Sequence, residues 1–304
     1  MKEVLIFGSG SIGNHFANAS RKLNLSVSIT DISFDALQRM KNKIYPLRYS
    51  KWDDKIELIN FKNIFDCKKE FDLIIIGTPP ATHYNLLNDI SKNIKFKSLL
   101  IEKPFSTYLT KFDKKKIYYL SRYKNLFIGY NHSVSDSFKK FEKLIKKIKK
   151  KDVQIIDVNW CEGWKGILNA HFWQKDEFSS YLGSLLKGGG CAHEHSHGIH
   201  LITCLEKILN FNLPKKISFF KNLKKKNKKL FYDNYINIRW KVKNFFINYT
   251  SDLISEPAKK SVCIYTKKKN FELIFNFKKK YDLIKLTDLN TGKTKILKFM
   301  KKRS

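Results

Sequence analysis

The sequence predicts an α/β fold in two domains: a doubly wound parallel sheet, then an α+β domain on a large, mostly antiparallel sheet. Three observations predict it. Over the first 130 residues, apolar strand-like runs alternate with stretches of helical period. A G-x-G-x-x-G run directly follows the first of those strands. Beyond residue 131 the texture shifts toward period-two alternation. A length of 304 residues carries two domains at about 150 each, here 1–130 and 131–304.

Residues 4–7 are a short apolar strand, and residues 11–23 place Ile12, Phe16, Ala19 and Leu23 at helical spacing. Residues 26–30 read as the second strand and 34–43 as the second helix. The run 73–76 is apolar without polar alternation, as in a strand covered by helices on both faces. A helix over 80–92, a strand over 98–101, a helix over 109–123 and a strand over 126–130 complete the first domain. The second opens with an amphipathic helix over 138–150 and a strand over 153–160. An irregular aromatic segment, 164–187, precedes one continuous helix from about 193 to 209. From residue 217 strands follow, at 235–240, 245–250, 261–266, 271–275 and 295–299.

Composition excludes several classes. With 42% hydrophobic residues, including 24 Phe, 14 Tyr and 5 Trp, the chain can bury a core and is not a disordered tail. No apolar run approaches the ~20 residues of a membrane helix, and Gly8 and Gly10 interrupt the N-terminal apolar stretch before it could act as a signal peptide. The five cysteines form no C-x-x-C pair, which argues against a disulfide framework and fits a reducing cytoplasm. The net charge of +33 raises the question of a nucleic-acid partner. However, Arg supplies only six of the 60 cations, whereas nucleic-acid surfaces favour its bidentate fork. Lys with abundant Ile, Asn and Phe is what AT-rich codons produce. Codon bias is therefore preferred to steering of an anionic substrate, and both to nucleic-acid binding.

Gly8-Ser9-Gly10-Ser11-Ile12-Gly13 follows a strand and opens a helix. Gly8 permits the tight turn, Gly10 a close approach of pyrophosphate, and Gly13 close helix–strand packing. The helix start at Ser11 and Ile12 offers amide hydrogens and partial positive charge to phosphates. Asp31 closes the second strand 18 residues after Gly13. An acid there accepts from ribose hydroxyls and repels a 2′-phosphate, so NAD is favoured over NADP as cofactor. Its structural alternative is an N-cap for the helix beginning at Phe34, and Ser33 and Arg39 are near enough in sequence to meet a phosphate.

Three more signatures lie where parallel strands end: Thr78-Pro79-Pro80-Ala81-Thr82-His83, Glu102-Lys103-Pro104 and Gly129-Tyr130-Asn131-His132. With them the chain resembles the glucose–fructose oxidoreductase/inositol dehydrogenase (Gfo/Idh/MocA) family over residues 1 to about 200. The resemblance implies an N-terminal Rossmann domain and a C-terminal domain whose open sheet serves homo-oligomerisation. It also implies NAD(P)-dependent redox chemistry at a hydroxyl of a sugar, nucleotide sugar or cyclitol. By the family pattern Thr78, Pro79, His83, Glu102, Lys103 and Asn131 join the glycine turn and Asp31 around the cofactor. His83 could equally be a structural helix residue. Lys103 would stabilise alkoxide character on the substrate oxygen.

The run Gly188-Gly189-Gly190 leads into Cys191-Ala192-His193-Glu194-His195-Ser196-His197-Gly198-Ile199-His200. Family members pair a glycine run with an acid and a histidine three or four positions on, which Glu194 and His197 satisfy. On one helix these share a face, with His197 as general base, Glu194 orienting it and His200 as rival base. The same stretch contains H-E-x-x-H, the zinc-protease spacing. A zinc reading needs His193 and His197 as ligands, Glu194 as base and Glu206 or His200 as third ligand, and it leaves the dinucleotide fingerprint as an accident. No metal is expected. Tyr130, His171, Trp173 and His200 are candidate substrate contacts; Trp164 and Asn169 lie in the same aromatic segment, where core packing is an equal alternative. Two other functions stay open, a non-catalytic NAD-binding sensor and a basic nucleic-acid-binding protein.

Overall fold

A computed structural model describes residues 1–111, 125–214, 216–278 and 280–300. Most of the helix expected over 109–123 lies outside the described residues. The chain divides into two compact units: Met1–Gly129 with Ala170–Lys175 and Leu186–Gly188, and Tyr130–Asn169 with Asp176–Leu185 and Gly189–Ser304.

The first unit holds β1 (Glu3–Phe7), β2 (Ser26–Asp31), β3 (Ile56–Asn60), β4 (Glu70–Ile76), β5 (Lys95–Ile101) and β6 (Leu126–Ile128). They form one parallel sheet in the order β3-β2-β1-β4-β5-β6, the doubly wound order of a Rossmann fold. Its helices are α1 (Ser11–Lys22), α2 (Phe34–Arg39), α3 (Tyr45–Tyr49) and α4 (Pro80–Asn93). The second helix runs past its expected end, through a π-helical turn at Met40–Ile44 into α3. The edge strand β3, part-exposed Ile-Glu-Leu-Ile-Asn, escaped the sequence reading.

Successive residues of β1 serve opposite cores. Leu5 and Phe7 pack with Ile74, Ile76, Leu87 and Ile101, while Val4 and Ile6 pack with Ala17, Ile29, Leu37 and Met40. Both faces are covered, which is why β1 and β4 read as unbroken apolar runs. Full burial of each such side chain contributes about 1.5–3 kcal/mol. Register then sets the site. Phe7 pairs with Thr30 and Ile76, Ile76 with Ile101, and Ile101 with Ile128. The next residues, Gly8, Gly77, Glu102 and Gly129, each donate an amide to a carbonyl at the end of a neighbouring strand: Thr30, Phe7, Ile76 and Ile101. All four signatures therefore leave the sheet along one edge.

The second unit has eight strands: β7 (Val153–Cys161), β8 (Ser218–Lys225), β9 (Phe231–Val242), β10 (Phe245–Asp252), β11 (Lys259–Thr266), β12 (Lys269–Phe277), β13 (Tyr281–Asp288) and β14 (Thr294–Met300). Their order is β14-β13-β12-β11-β7-β10-β9-β8, antiparallel except for the β7/β10 pair. β8 and β13 were not singled out from sequence; β8 is almost wholly exposed and shows no apolar alternation. On one face α5 (Asp136–Ile145) and α8 (His197–Ile208) pack Phe138, Phe141, Leu201 and Leu205 against Ile156, Val158, Tyr249 and Val262. On the other, Ile155, Phe246 and Tyr265 are exposed. The segment expected to be irregular over 164–187 contains a helix, α6 (Trp164–Ala170), and two short 3-10 turns. Among the described residues no helix is long and apolar enough to cross a membrane.

Candidate functional site

The glycine turn is built by close approach. Gly8 has φ +101°, and a Cβ there would lie 2.8 Å from the Gly77 carbonyl oxygen. At Gly13 a Cβ would lie 1.9 Å from the Gly8 carbonyl oxygen, so α1 presses directly on the turn. At Gly10 a Cβ would meet nothing within 4 Å. That empty side, at the N-cap of α1 where no side chain caps the helix, is a place for a phosphate to reach the first-turn amides of Ser11 and Ile12. Asn14, which the sequence reading passed over, is fully buried and clamps the turn, its Nδ2 donating to Ser9 O (3.1 Å) and Gly10 O (2.8 Å).

Asp31 faces this turn. Oδ2 accepts from Ser9 N and Ser9 Oγ, both at 2.8 Å, and Oδ1 from Ser33 N at 3.0 Å. A carboxylate has about four acceptor positions, so Oδ1 keeps capacity for a ribose hydroxyl. Asp31 does not cap α2. Ser33 does, accepting from Ala36 N, because Asp31 is already spent on the turn. Arg39 is exposed. The cation that does reach the turn is Arg48, unsuspected in the sequence, which donates to Ser11 O and Ser11 Oγ at 2.9 Å each. His171 and Trp173, read as substrate contacts, fall in the first unit, and Trp173 lies under the Arg48 guanidinium at 5.3 Å.

At the end of β4, Thr78 and Thr82 share a hydroxyl–hydroxyl bond of 2.7 Å, and Thr82 Oγ1 donates to Pro79 O. His83 is 0% exposed. Its Nε2 lies 2.7 Å from Thr78 O and its Nδ1 3.0 Å from Pro104 O, so the ring braces the Thr78–Pro79 loop against the loop carrying Lys103. Burial pushes its pKa below the ordinary value, and the carbonyl contacts only partly offset that. At the end of β5 the Glu102 carboxylate accepts from the amide of Lys103 at 3.2 Å.

In the second unit the structure gathers Tyr130, His197 and His200. Tyr130 stacks on His200, centroids 4.2 Å apart and planes at 13°, and meets His197 edge-on at 5.7 Å. His132, the last residue of the Gly129–His132 signature, packs on His197 at 4.4 Å, and Trp160 lies 5.7 Å from the same ring. His200 Nε2 meets Ser133 Oγ at 3.1 Å; burial, then Lys207, lowers its pKa. Asn131 lines a cavity of about 380 Å³ with His132, Ser135, Asp136, Ser137 and Asp282. Trp164 donates to Tyr232 OH and belongs to the core.

Glu194 and His197 do not share one helix. The chain forms α7 (Cys191–Glu194), turns at His195–Ser196, and resumes as α8. Tertiary bonds break the helix: buried His195 holds Ser251 Oγ through Nδ1 at 3.1 Å, and its carbonyl accepts from Tyr249 OH at 2.8 Å. The Asp233 carboxylate takes the Ala192 amide and the Cys191 thiol at the start of α7. His193 Nδ1 bonds to Gly189 O. Among the described residues no group of three His, Cys, Asp or Glu is arranged to hold a metal ion.

The six-strand parallel order, the glycine turn at the reversal of strand order between β1 and β4, and the acid ending β2 define a Rossmann dinucleotide-binding domain. Residues 2–132 match the model of the Gfo/Idh/MocA family, an oxidoreductase family with an NAD-binding Rossmann fold. No curated protein matches it by sequence. Solved structures share its fold. They include the WlbA dehydrogenase from Bordetella pertussis with NADH and UDP-GlcNAcA, at 13% identity, 90% of this chain, 73% of that one and TM-score 0.65. Biliverdin reductase from Synechocystis sp. PCC 6803 with biliverdin and NADP+ gives 13%, 99%, 85% and 0.69. Levoglucosan dehydrogenase with NADH and L-sorbose gives 12%, 99%, 80% and 0.67.

Proposed function

We propose that the protein is an NAD-dependent dehydrogenase or reductase acting on a carbinol or carbonyl carbon of a sugar, nucleotide sugar or cyclitol. The observation that carries the reading is the row of strand ends, with open Gly10, acidic Asp31, and the Thr78 and Glu102-Lys103 loops along one sheet edge. Bound nicotinamide supplies the hydride donor or acceptor. Asp31 takes a ribose hydroxyl, Lys103 holds negative charge on the substrate oxygen, and His197 accepts the hydroxyl proton, its ring fixed by His132, Trp160 and Tyr130. Histidine suits that task because its ordinary pKa lies near working pH. Glu194, on a separate short helix, would act on a substrate hydroxyl. In this reading residues 1–130 hold the cofactor and 131–304 the substrate. The exposed apolar face of the eight-stranded sheet would serve homo-oligomerisation. Five cysteines, all free thiols, support a reducing cytoplasm.

The test is NADH production with a panel of sugars, nucleotide sugars and cyclitols, in the parent and in His197→Ala. The variant should lose about 10²–10⁴ in the chemical step with NAD affinity within a few-fold. NAD binding without turnover on any member would support the sensor instead, and a larger loss in His200→Ala would make His200 the base.

A further inference from the structure

We propose that Arg48 is a cofactor-positioning residue that adds the charge of its guanidinium to the phosphate turn and latches the Ala170–Lys175 segment beside it. The inference rests on the NAD reading above and names a part of that site no sequence signature marks. Arg48 lies 37 residues after Ser11 yet donates twice to it, to the carbonyl and to the hydroxyl. A third bond, Nη2 to Ala170 O at 2.7 Å, and the Trp173 ring 5.3 Å from Cζ tie it to a segment more than 120 residues downstream. That segment groups with the Rossmann unit, not with the residues that flank it in sequence.

The charge balance points to an anion. The first turn of α1 contains no acid, and its amides already make that end positive. Among the described residues Arg48 pairs with no carboxylate. With no carboxylate among those residues to balance it, the guanidinium adds to the positive potential of that helix end and favours an anion there. His15, one turn into α1, reports the same field: burial, then Arg48 and His171, hold its pKa below the ordinary value. A guanidinium has five N–H groups, and the three bonds leave Nε–H and one Nη1–H for a phosphate oxygen. The latched segment also carries an orphaned acceptor, the buried Oε1 of Gln174, which no donor among the described residues meets. A ligand hydroxyl would satisfy it.

The test measures NADH affinity by fluorescence, and competition by ADP-ribose and by adenosine, for the parent, Arg48→Gln and Arg48→Lys. Loss of charge-assisted hydrogen bonds predicts that Arg48→Gln binds NADH and ADP-ribose about 10- to 100-fold more weakly. Adenosine, which has no phosphate, should change less than about twofold, and Arg48→Lys should fall between. NADH should slow tryptic cleavage after exposed Lys175 in the parent but not in Arg48→Gln. If the parent binds neither NADH nor NADPH, the cofactor reading itself fails. If the parent binds NADH and Arg48→Gln binds it equally well, only the Arg48 proposal is overturned. Should Arg48→Gln not fold, Trp173→Ala carries the test: at least a fivefold loss for ADP-ribose with adenosine unchanged supports the latch, and no loss overturns it.

Discussion

Alanine at two glycines of one turn should have opposite consequences. At Gly13 the added Cβ would sit 1.9 Å from the Gly8 carbonyl oxygen, a backbone atom that cannot swing aside. A carbon–oxygen contact needs about 3.4 Å, so α1 would have to retreat roughly 1.5 Å from β1. Overpacking of this kind costs about 1–3 kcal/mol, and more where no side chain can yield. For a protein of this size about 3 kcal/mol lowers Tm by roughly 6–12 °C. At Gly10 the backbone is extended (φ −75°, ψ −158°) and a Cβ meets nothing within 4 Å. There Ala loses some N-cap preference and gains from a stiffer unfolded chain, two effects of about 0.5–1 kcal/mol that nearly cancel. The methyl would nevertheless occupy the space a pyrophosphate must enter. Losing one or two charge-assisted amide bonds, at about 1.5–3 kcal/mol each, should weaken NADH binding by at least 10-fold. Differential scanning fluorimetry and an NADH fluorescence titration read both quantities. A Gly10→Ala protein that binds NADH as tightly as the parent would refute the placement of the phosphate on this turn.

Asp31→Asn keeps the shape but removes the charge facing Ser9, so the preference for NAD over NADP should narrow by about 1–3 kcal/mol in paired titrations; equal affinity for both cofactors in the parent would contradict this. Acidification should destabilise the fold chiefly through His83, which burial holds below the ordinary histidine value of 6.5; the part-exposed His200 and exposed His15, lowered in the same direction, add less because solvent screens them. The unfolded chain takes up these protons first, so stability is full above about pH 6.5 and falls as pH drops below it, by about 1.4 kcal/mol per unit of depression; a Tm that rises between pH 7 and 5.5 would be incompatible with it. In the lysine run of the β8–β9 hairpin, Lys224 is ion-paired with Glu177 at 2.7 Å, whereas Lys228 and Lys229 are exposed loop residues. Replacing Lys228 and Lys229 by Gln should leave Tm and turnover nearly unchanged, and a loss of rate confined to low salt would instead indicate electrostatic steering of an anionic substrate.

Much of the first unit was legible because its determinants are local. Parallel strands buried on both faces read as apolar runs, a glycine turn declares itself by spacing, and residues at a strand's carboxyl end need only the strand to be placed. The strand-end positions of Gly8, Gly10, Gly13, Asp31, Thr78 and Glu102 were therefore legible without coordinates, as was the antiparallel character of the second unit from period-two alternation. The edge strands β3 and β8 escaped because an exposed strand has no buried face to pattern it. Only the tertiary structure could decide what depends on residues far apart in the chain. The helical period of 193–209 is intact in sequence, yet Tyr249 and Ser251, more than 50 residues on, pull His195 out of the helix and separate Glu194 from His197. Arg48 reads as one more surface cation until folding sets it on Ser11. His132, Trp160 and His197 become neighbours only when a 3-10 turn, a central strand and a helix start are packed together. A periodic pattern reports which face of an element is buried; it carries no record of which distant side chain will supply a stronger bond there.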